Sequence, residues 1–240
     1  MGVIVFNGIS SKDVGIEVET FPEYTIPERE YEAIHVPGRN GDVIIDNGTY
    51  KNVSRSYKVS IATYDIPYHQ KMSSVAKWLH SAPGYARLED SYEPAFYRLA
   101  YYNESVSIEN LFNEAGKATI KFTCKPQRFY KSGEQAIAFS SAGEIQNGTV
   151  NIALPLIKVT KVNLQGRIMV GDTTITIASD SGDVIIDSEL QDVYNADGEN
   201  KNSVVTFNDG IFPLLQPGSN SISFDGGVTK VEVIPRWWTI

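Results

Sequence analysis

A chain of 240 residues, 42% of them hydrophobic, is long enough for one large all-β domain or two domains of ordinary size. Its formal net charge of −8 repels polyanions, no basic run offsets it, and sequence-independent nucleic-acid binding is therefore not expected. One cysteine, Cys124, excludes an intrachain disulfide and a thiolate metal site, and the chain carries neither a signal-peptide pattern at Met1–Phe6 nor an apolar run long enough to span a membrane.

Thirteen Tyr and ten Phe lean the composition towards strands. Pro37-Gly38-Arg39-Asn40-Gly41-Asp42 reads as a turn between two short strand-like runs, with a second turn signal at Asp46-Asn47-Gly48-Thr49. From Val53 to Thr63, apolar Val53, Tyr57, Val59 and Ile61 alternate with Ser54, Ser56, Lys58 and Ser60, which predicts a half-buried strand. Pro67 to Ser81 reads as an amphipathic helix. Its stripe is Tyr68, Met72, Val75, Ala76 and Leu79, with Asp65 and Pro67 as start signals and Ser81-Ala82-Pro83-Gly84 as the stop. Strands are expected at Arg87–Glu89 and Phe96–Tyr102. Lys117–Lys125 alternates cleanly, with Ala118, Ile120, Phe122 and Cys124 on the apolar face.

The character changes after Tyr130. Lys131-Ser132-Gly133 reads as a linker, placing a domain boundary near residue 131. Beyond it lie short strands divided by turns: Gln135–Phe139, Leu156–Val162, Thr173–Ala178, Val184–Asp187, Ser203–Phe207, Ser219–Phe224 and Val228–Ile234. That pattern predicts an antiparallel sandwich. One hexapeptide, Gly-Asp-Val-Ile-Ile-Asp, occurs at 41–46 and again at 182–187. Its flanks differ, so it is one turn-then-strand solution used twice and not a duplication.

Chemistry is sparse. His35 lies in an expected strand, and His69 and His80 on the helix are about three turns apart, too far to share a metal. No HExxH spacing, nucleophile elbow or phosphate-binding glycine loop occurs. Asn195–Asn200 echoes a calcium loop only faintly and reads as a polar turn. Neither a metal nor a cofactor is expected. Alternation along Val231, Val233, Pro235 and Trp237 puts Trp237 on the apolar face and leaves Trp238 outward for a partner.

Three places resemble the siphophage distal tail protein family. They are Val5-Phe6-Asn7-Gly8 followed by Val36–Asp42, the stretch Phe122–Phe129, and the C-terminal run Pro213–Ile240 with its closing Pro235-Arg236-Trp237-Trp238. The resemblance implies a mainly β protein: a β-barrel-like N-terminal domain with one packed α-helix at 1–131, and a galectin-like antiparallel β-sandwich at 132–240. It implies no enzymatic activity. Six copies would form a ring at the virion tail tip, assembled in the bacterial host cytoplasm. Its partners would be the tail-tube protein on one side and a tail-tip, tail-fibre or receptor-binding protein on the other. DNA would pass through the channel without specific binding, and no membrane would be involved.

The expected subunit or partner contacts are Arg39, Asn40 and Asn47 in the hairpin 37–51, and Trp238. A carbohydrate-binding module contacting host cell-surface glycans through Trp238 or Tyr194 is the alternative, and a cell-wall hydrolase is a third reading. At 240 residues there is no room for the sugar-binding modules that some relatives carry in their C-terminal half.

Overall fold

The computed structural model describes residues 2–62, 66–111 and 115–240. Strands dominate, with one α-helix among the described residues. The chain forms two compact units: Met1–Arg128 together with Ile240, and Phe129–Thr239.

The first unit contains β1 (Ile4–Phe6), β2 (Ile9–Ser10), β3 (Ile16–Val18), β4 (Arg29–Ile34), β5 (Val43–Tyr50) and β6 (Val53–Ala62). Helix α1 (Tyr68–Leu79) follows, then β7 (Ala86–Asp90), β8 (Phe96–Tyr101), β9 (Glu109–Leu111) and β10 (Ala115–Cys124). Its main sheet runs β2-β1-β7-β8-β10-β6-β3, with β9 paired to β10. The long β6–β10 pair holds one register from Ala115 opposite Ala62 to Cys124 opposite Val53. The expected alternation is realised on both strands: Val53, Tyr57, Val59 and Ile61 are buried, as are Ile120, Phe122 and Cys124. Positive φ at Asn7 and Gly8 (49° and 77°) forms the tight β1–β2 hairpin.

The ring of Phe122 is the centre of this core. The rings of Phe6, Tyr57, Trp78 and Tyr102 lie 4.9 to 6.3 Å from it. Trp78 explains why the buried stripe of α1 is rotated from the one expected. Lys71, Val75, Trp78 and Leu79 are buried and Ala76 is exposed. The indole is the largest side chain available to fill the space, and its Nε1–H donates to the Ile9 carbonyl at 3.1 Å. Pro67 precedes the helix as its N-cap. The expected start residue Asp65 lies outside the described residues.

The second unit contains β11 (Arg128–Tyr130) from Phe129 onwards, β12 (Ile137–Phe139), β13 (Gly143–Asn147), β14 (Leu156–Val170) and β15 (Thr173–Ile177). These are followed by β16 (Val184–Asp187), β17 (Asp192–Tyr194), β18 (Val205–Phe207), β19 (Gly218–Ile234) and β20 (Trp238–Thr239). Two of the strands expected from the sequence are much longer than expected. Leu156–Val162 continues to Val170, and the two stretches 219–224 and 228–234 are one strand, β19.

Strands β14 and β19 pair along their length, and each serves two leaves. Their 156–160 and 230–234 halves carry β16 and β12; their 166–170 and 218–226 halves carry β15 and β13, the latter on residues 218–222 of β19. Between the halves the register slips, so that residues 162–165 bulge against Gly227. Ile157 and Val159 of one leaf share a single core with Ile168 and Val170 of the other. The sheet is therefore folded over on itself as an antiparallel sandwich. The expected linker Lys131-Ser132-Gly133 is instead a short 3-10 turn, Lys131–Glu134, with Gly133 pressed against the Trp237 backbone.

The fold-over depends on glycine. A Cβ at Gly227 would stand 2.3 Å from the Leu164 carbonyl oxygen, and one at Gly226 2.4 Å from that of Gln165. Gly227→Ala is expected to lower the unfolding free energy by about 1–3 kcal/mol, the usual cost of overpacking. Gly148→Ala, where a Cβ meets nothing within 4 Å, should be near neutral. Denaturant midpoints of the two variants check both.

Candidate subunit interface

Residues 20–50 leave the main sheet of the first unit. A strap without regular structure, 20–28, leads into the β4–β5 hairpin, whose two strands pair with no third strand among the described residues. The hairpin turns at Val36-Pro37-Gly38-Arg39, where the Arg39 N–H donates to the Val36 carbonyl at 3.2 Å and Gly38 has φ 85°. Proline followed by a left-handed glycine is the type II arrangement.

The second turn signal, Asp46–Thr49, is not a turn. It lies inside β5, where the register slips from Arg29 opposite Tyr50 to Tyr31 opposite Asp46. Gly48 takes φ 72°, and its N–H donates to the Asp46 carboxylate at 2.9 Å. Asn-Gly chemistry supplies the positive φ as expected, but a bulge uses it.

The root of the arm is tied down. Thr25 Oγ1 donates to the Ser54 carbonyl, the Lys51 N–H to the Glu28 carbonyl, and Lys51 Nζ pairs with Glu28 at 2.8 Å. The Phe21 ring stacks at 4.3 Å on Tyr92, and the Arg128 guanidinium sits 4.9 Å from the Tyr24 ring centre. Further out, Arg29 pairs with Asp46 across the bulge, Thr49 donates to Glu30 at 2.7 Å, and His35 meets Asp42 at 3.3 Å near the tip.

Despite these ties the arm is apolar on its surface. Phe21 is 79% exposed, Ile26 75% and Ile44 57%, with Tyr24, Tyr31, Ile34, Val36 and Ile45 also exposed. Cross-strand register puts Ala33 with Ile44 on one face and Ile34 with Val43 on the other, so neither face is a buried one. The repeated hexapeptide gives an internal control. At 182–187 its Val184, Ile186 and Asp187 are buried in the second unit's core; at 41–46 the equivalent Ile45 and Asp46 are exposed and Val43 only half-buried. One sequence is thus satisfied by its own chain in one place and left uncovered in the other.

Of the residues expected at contacts, Arg39, Asn40 and Asn47 share this hairpin. Trp238 lies in the second unit, half-buried. Its Nε1–H donates to the Ile152 carbonyl at 2.9 Å, and its own carbonyl accepts from Asn151. Sequence reasoning missed Phe21, Tyr24, Ile26 and Tyr31. The available signal was a run of large apolar residues spaced between Pro22, Pro27 and charges, with neither helical nor strand period.

Two ionic clusters brace the units. In the first, Arg55 lies on the buried face of β6 and bonds Asp90 at 2.9 Å and Glu93 at 3.1 Å, while Glu93 also meets Arg98 and Arg128. Burial opposes the charge on Glu93, but Arg98, Arg55 and Arg128 outweigh it and hold the carboxyl below its ordinary value of 4.5. In the second, Arg236, at φ 58°, forks onto both oxygens of Asp187 at 2.6 and 2.8 Å. Burial again opposes ionisation, and Arg236 with the Leu190 and Glu189 amides holds Asp187 below 3.8. Burial pushes the Cys124 thiol up to about 12, so it stays protonated at neutral pH and is a core residue, not a nucleophile.

Residues 10–124 match the family model described as the phage tail protein RIFT-related domain, a span that includes the arm, α1 and β10. The match to a phage tail domain thus lies within the first unit. Over nearly the whole chain the fold is that of a distal tail protein. The crystal structure of SPP1 Dit, described as a paradigm of the hub adsorption apparatus in phages infecting Gram-positive bacteria, matches with a TM-score of 0.76 at 12% identity, covering 97% of this chain and 98% of that one. Comparison with curated protein sequences gives no match. Domain and fold are those of structural phage tail proteins and not of a known enzyme class.

Both depressed carboxyls stabilise the fold fully above their ordinary values, and that contribution is lost as pH falls through their lowered native values. Stability is therefore expected to drop on acidification below about 4.5. Arg236→Ala strands a carboxylate whose side chain is 2% exposed and should cost about 3–5 kcal/mol at neutral pH. The gap to the parent should narrow in acid, where Asp187 is protonated. Denaturant unfolding at neutral and acid pH measures both.

Proposed function

We propose that this chain is a structural component of a bacteriophage or prophage tail tip, in which six copies close into a ring that joins the tail tube to the tip, fibre or receptor-binding proteins. The observation that carries this reading is the arm: a rooted hairpin with exposed Ile34, Ile44 and Ile45 and, among the described residues, both strand edges unpaired. A two-stranded hairpin is marginal by itself, and uncovered edges invite pairing with another chain. A neighbouring copy supplies the cover. If the rotation between copies closes, the product is a ring and not a filament, and the resemblance sets the number at six.

In this reading the first unit builds the ring, and the second, a galectin-like sandwich, is carried by it. The channel passes DNA without specific binding, the protein acts without catalysis or cofactor, and it resides in the virion tail after assembly in the host cytoplasm. Arg39, Asn40 and Asn47 are the polar members of the subunit contact. Trp238 is the weaker member, since its indole donor is already used. A glycan-binding reading, in which Trp238 or Tyr194 would stack on a sugar ring, does not depend on that donor.

Electron microscopy of the purified protein at high concentration, with light scattering alongside, tests the proposal. A six-fold ring at six times the chain mass is expected. Replacing Ile44 and Ile45 together by Ser should abolish the ring while leaving monomer stability within about 0.5 kcal/mol, as for ordinary surface positions. Rings that survive the double substitution would overturn the role given to the arm.

A further inference from the structure

Asn-Gly occurs four times, at residues 7–8, 40–41, 47–48 and 147–148. Glycine offers the least hindered backbone nitrogen to an asparagine side chain, so each step is chemically primed for ring closure. Three of the four are held. Asn7 Nδ2 donates to the Ser81 carbonyl at 3.1 Å in a tight hairpin. At Asn47 the following N–H, that of Gly48, is engaged by Asp46. Asn147 is 2% exposed; its Oδ1 accepts from the Thr149 N–H and hydroxyl, and its Nδ2 donates to the Asn151 and Leu215 carbonyls.

Asn40 is different. It is exposed in the bend between the type II turn and β5, and among the described residues neither its side chain nor the Gly41 N–H has a hydrogen-bond partner. Gly41 takes φ 78° with open space around it. We propose that Asn40 is a site of spontaneous deamidation that ages the free subunit and is closed off when the arm is covered by a neighbour.

The Gly41 nitrogen attacks the Asn40 Cγ, its proton leaves, the Cγ–Nδ2 bond breaks and ammonia departs, giving a cyclic imide. Water then opens either imide bond, yielding aspartate or isoaspartate. The net change is amide plus water to carboxylate plus ammonium, with no oxidant or cofactor. The new charge falls two residues from Asp42, which already faces His35. The isoaspartate form also adds a methylene to the main chain in a loop whose turn geometry sets the β4–β5 register.

The protective half of the proposal rests on the ring reading; the chemical half does not. The test is a time course on the full-length folded protein at mildly alkaline pH. A protease that cuts before aspartate places Asn40 and Asn47 in separate peptides for mass spectrometry. Asn40 should convert several-fold faster than Asn7, Asn47 and Asn147, and Asn40→Gln, which would need a larger ring, should abolish the fast phase with circular dichroism unchanged. Equal rates at Asn40 and Asn7 or Asn47 would overturn the site. The same course on the ring fraction separates the two readings: slowed conversion supports protection, and undiminished conversion there sinks protection and the arm contact while leaving the site standing.

Discussion

A guanidinium on the inward face of a strand has to be paired, and Arg55 imposes that requirement on the whole first unit. It sits among Val53, Tyr57 and Val59 on β6, where every other inward position is apolar. Its charge fixes Asp90 at the end of β7, Glu93 in the following turn, and through Glu93 the two further arginines, Arg98 and Arg128. Tyr57 donates to the same Asp90 at 2.7 Å, and burial together with Asp90 keeps its phenol protonated well above the ordinary range. Arg55 also donates to the Glu23 carbonyl at 3.3 Å. The strap that launches the arm is therefore tied to the same cluster that joins β6, β7 and β8. Such a cluster is weak as a source of stability, because desolvation offsets attraction, but removing one member leaves the others buried and unpaired. Its effect is to fix geometry, and the geometry it fixes is the root from which the hairpin projects.

The two units solve the same problem of apolar strand faces by different means. The second covers its faces internally: β14 and β19 bend at Gly226-Gly227, and their two halves face each other across one core. The first does this for its main sheet but not for its hairpin. The Gly-Asp-Val-Ile-Ile-Asp hexapeptide appears in both settings, so the difference lies in what surrounds the strand and not in the strand.

That hexapeptide also marks the limit of what the sequence discloses. Period-two alternation locates β6 and β10 closely, and the three-and-four spacing locates α1 to within a residue or two. Those signals are local and strong. Arg55 breaks the alternation on β6 without betraying that its charge is met by Asp90 and Glu93, 35 and 38 positions away. The face of α1 turned inward because Trp78 found a cavity beside Phe122, which spacing alone does not reveal. The bend in β19 reads as a break because Asp225-Gly226-Gly227 carries turn chemistry, yet a bulge keeps the ladder paired through it. Asp46–Thr49 misleads for the same reason. Of the proposed interface, the turn signals around Arg39 and Asn40 were legible, and Asn47 lies on the same hairpin inside β5. The apolar strap and strands below the turn were not legible, because exposure is a property of the fold.

The continuity of β14 and β19 has a consequence for how the second unit comes apart. In a sandwich of two separate sheets, one leaf can fray while the other holds. Here each leaf is built on the same two strands, and the hydrogen-bonded ladder between them runs from Leu156–Ile234 at one end to Val170–Ile222 at the other. Opening either leaf pulls on a strand that the other leaf needs. The unit should therefore behave as a single cooperative block, with amide protons of both leaves exchanging through one global event instead of two local ones.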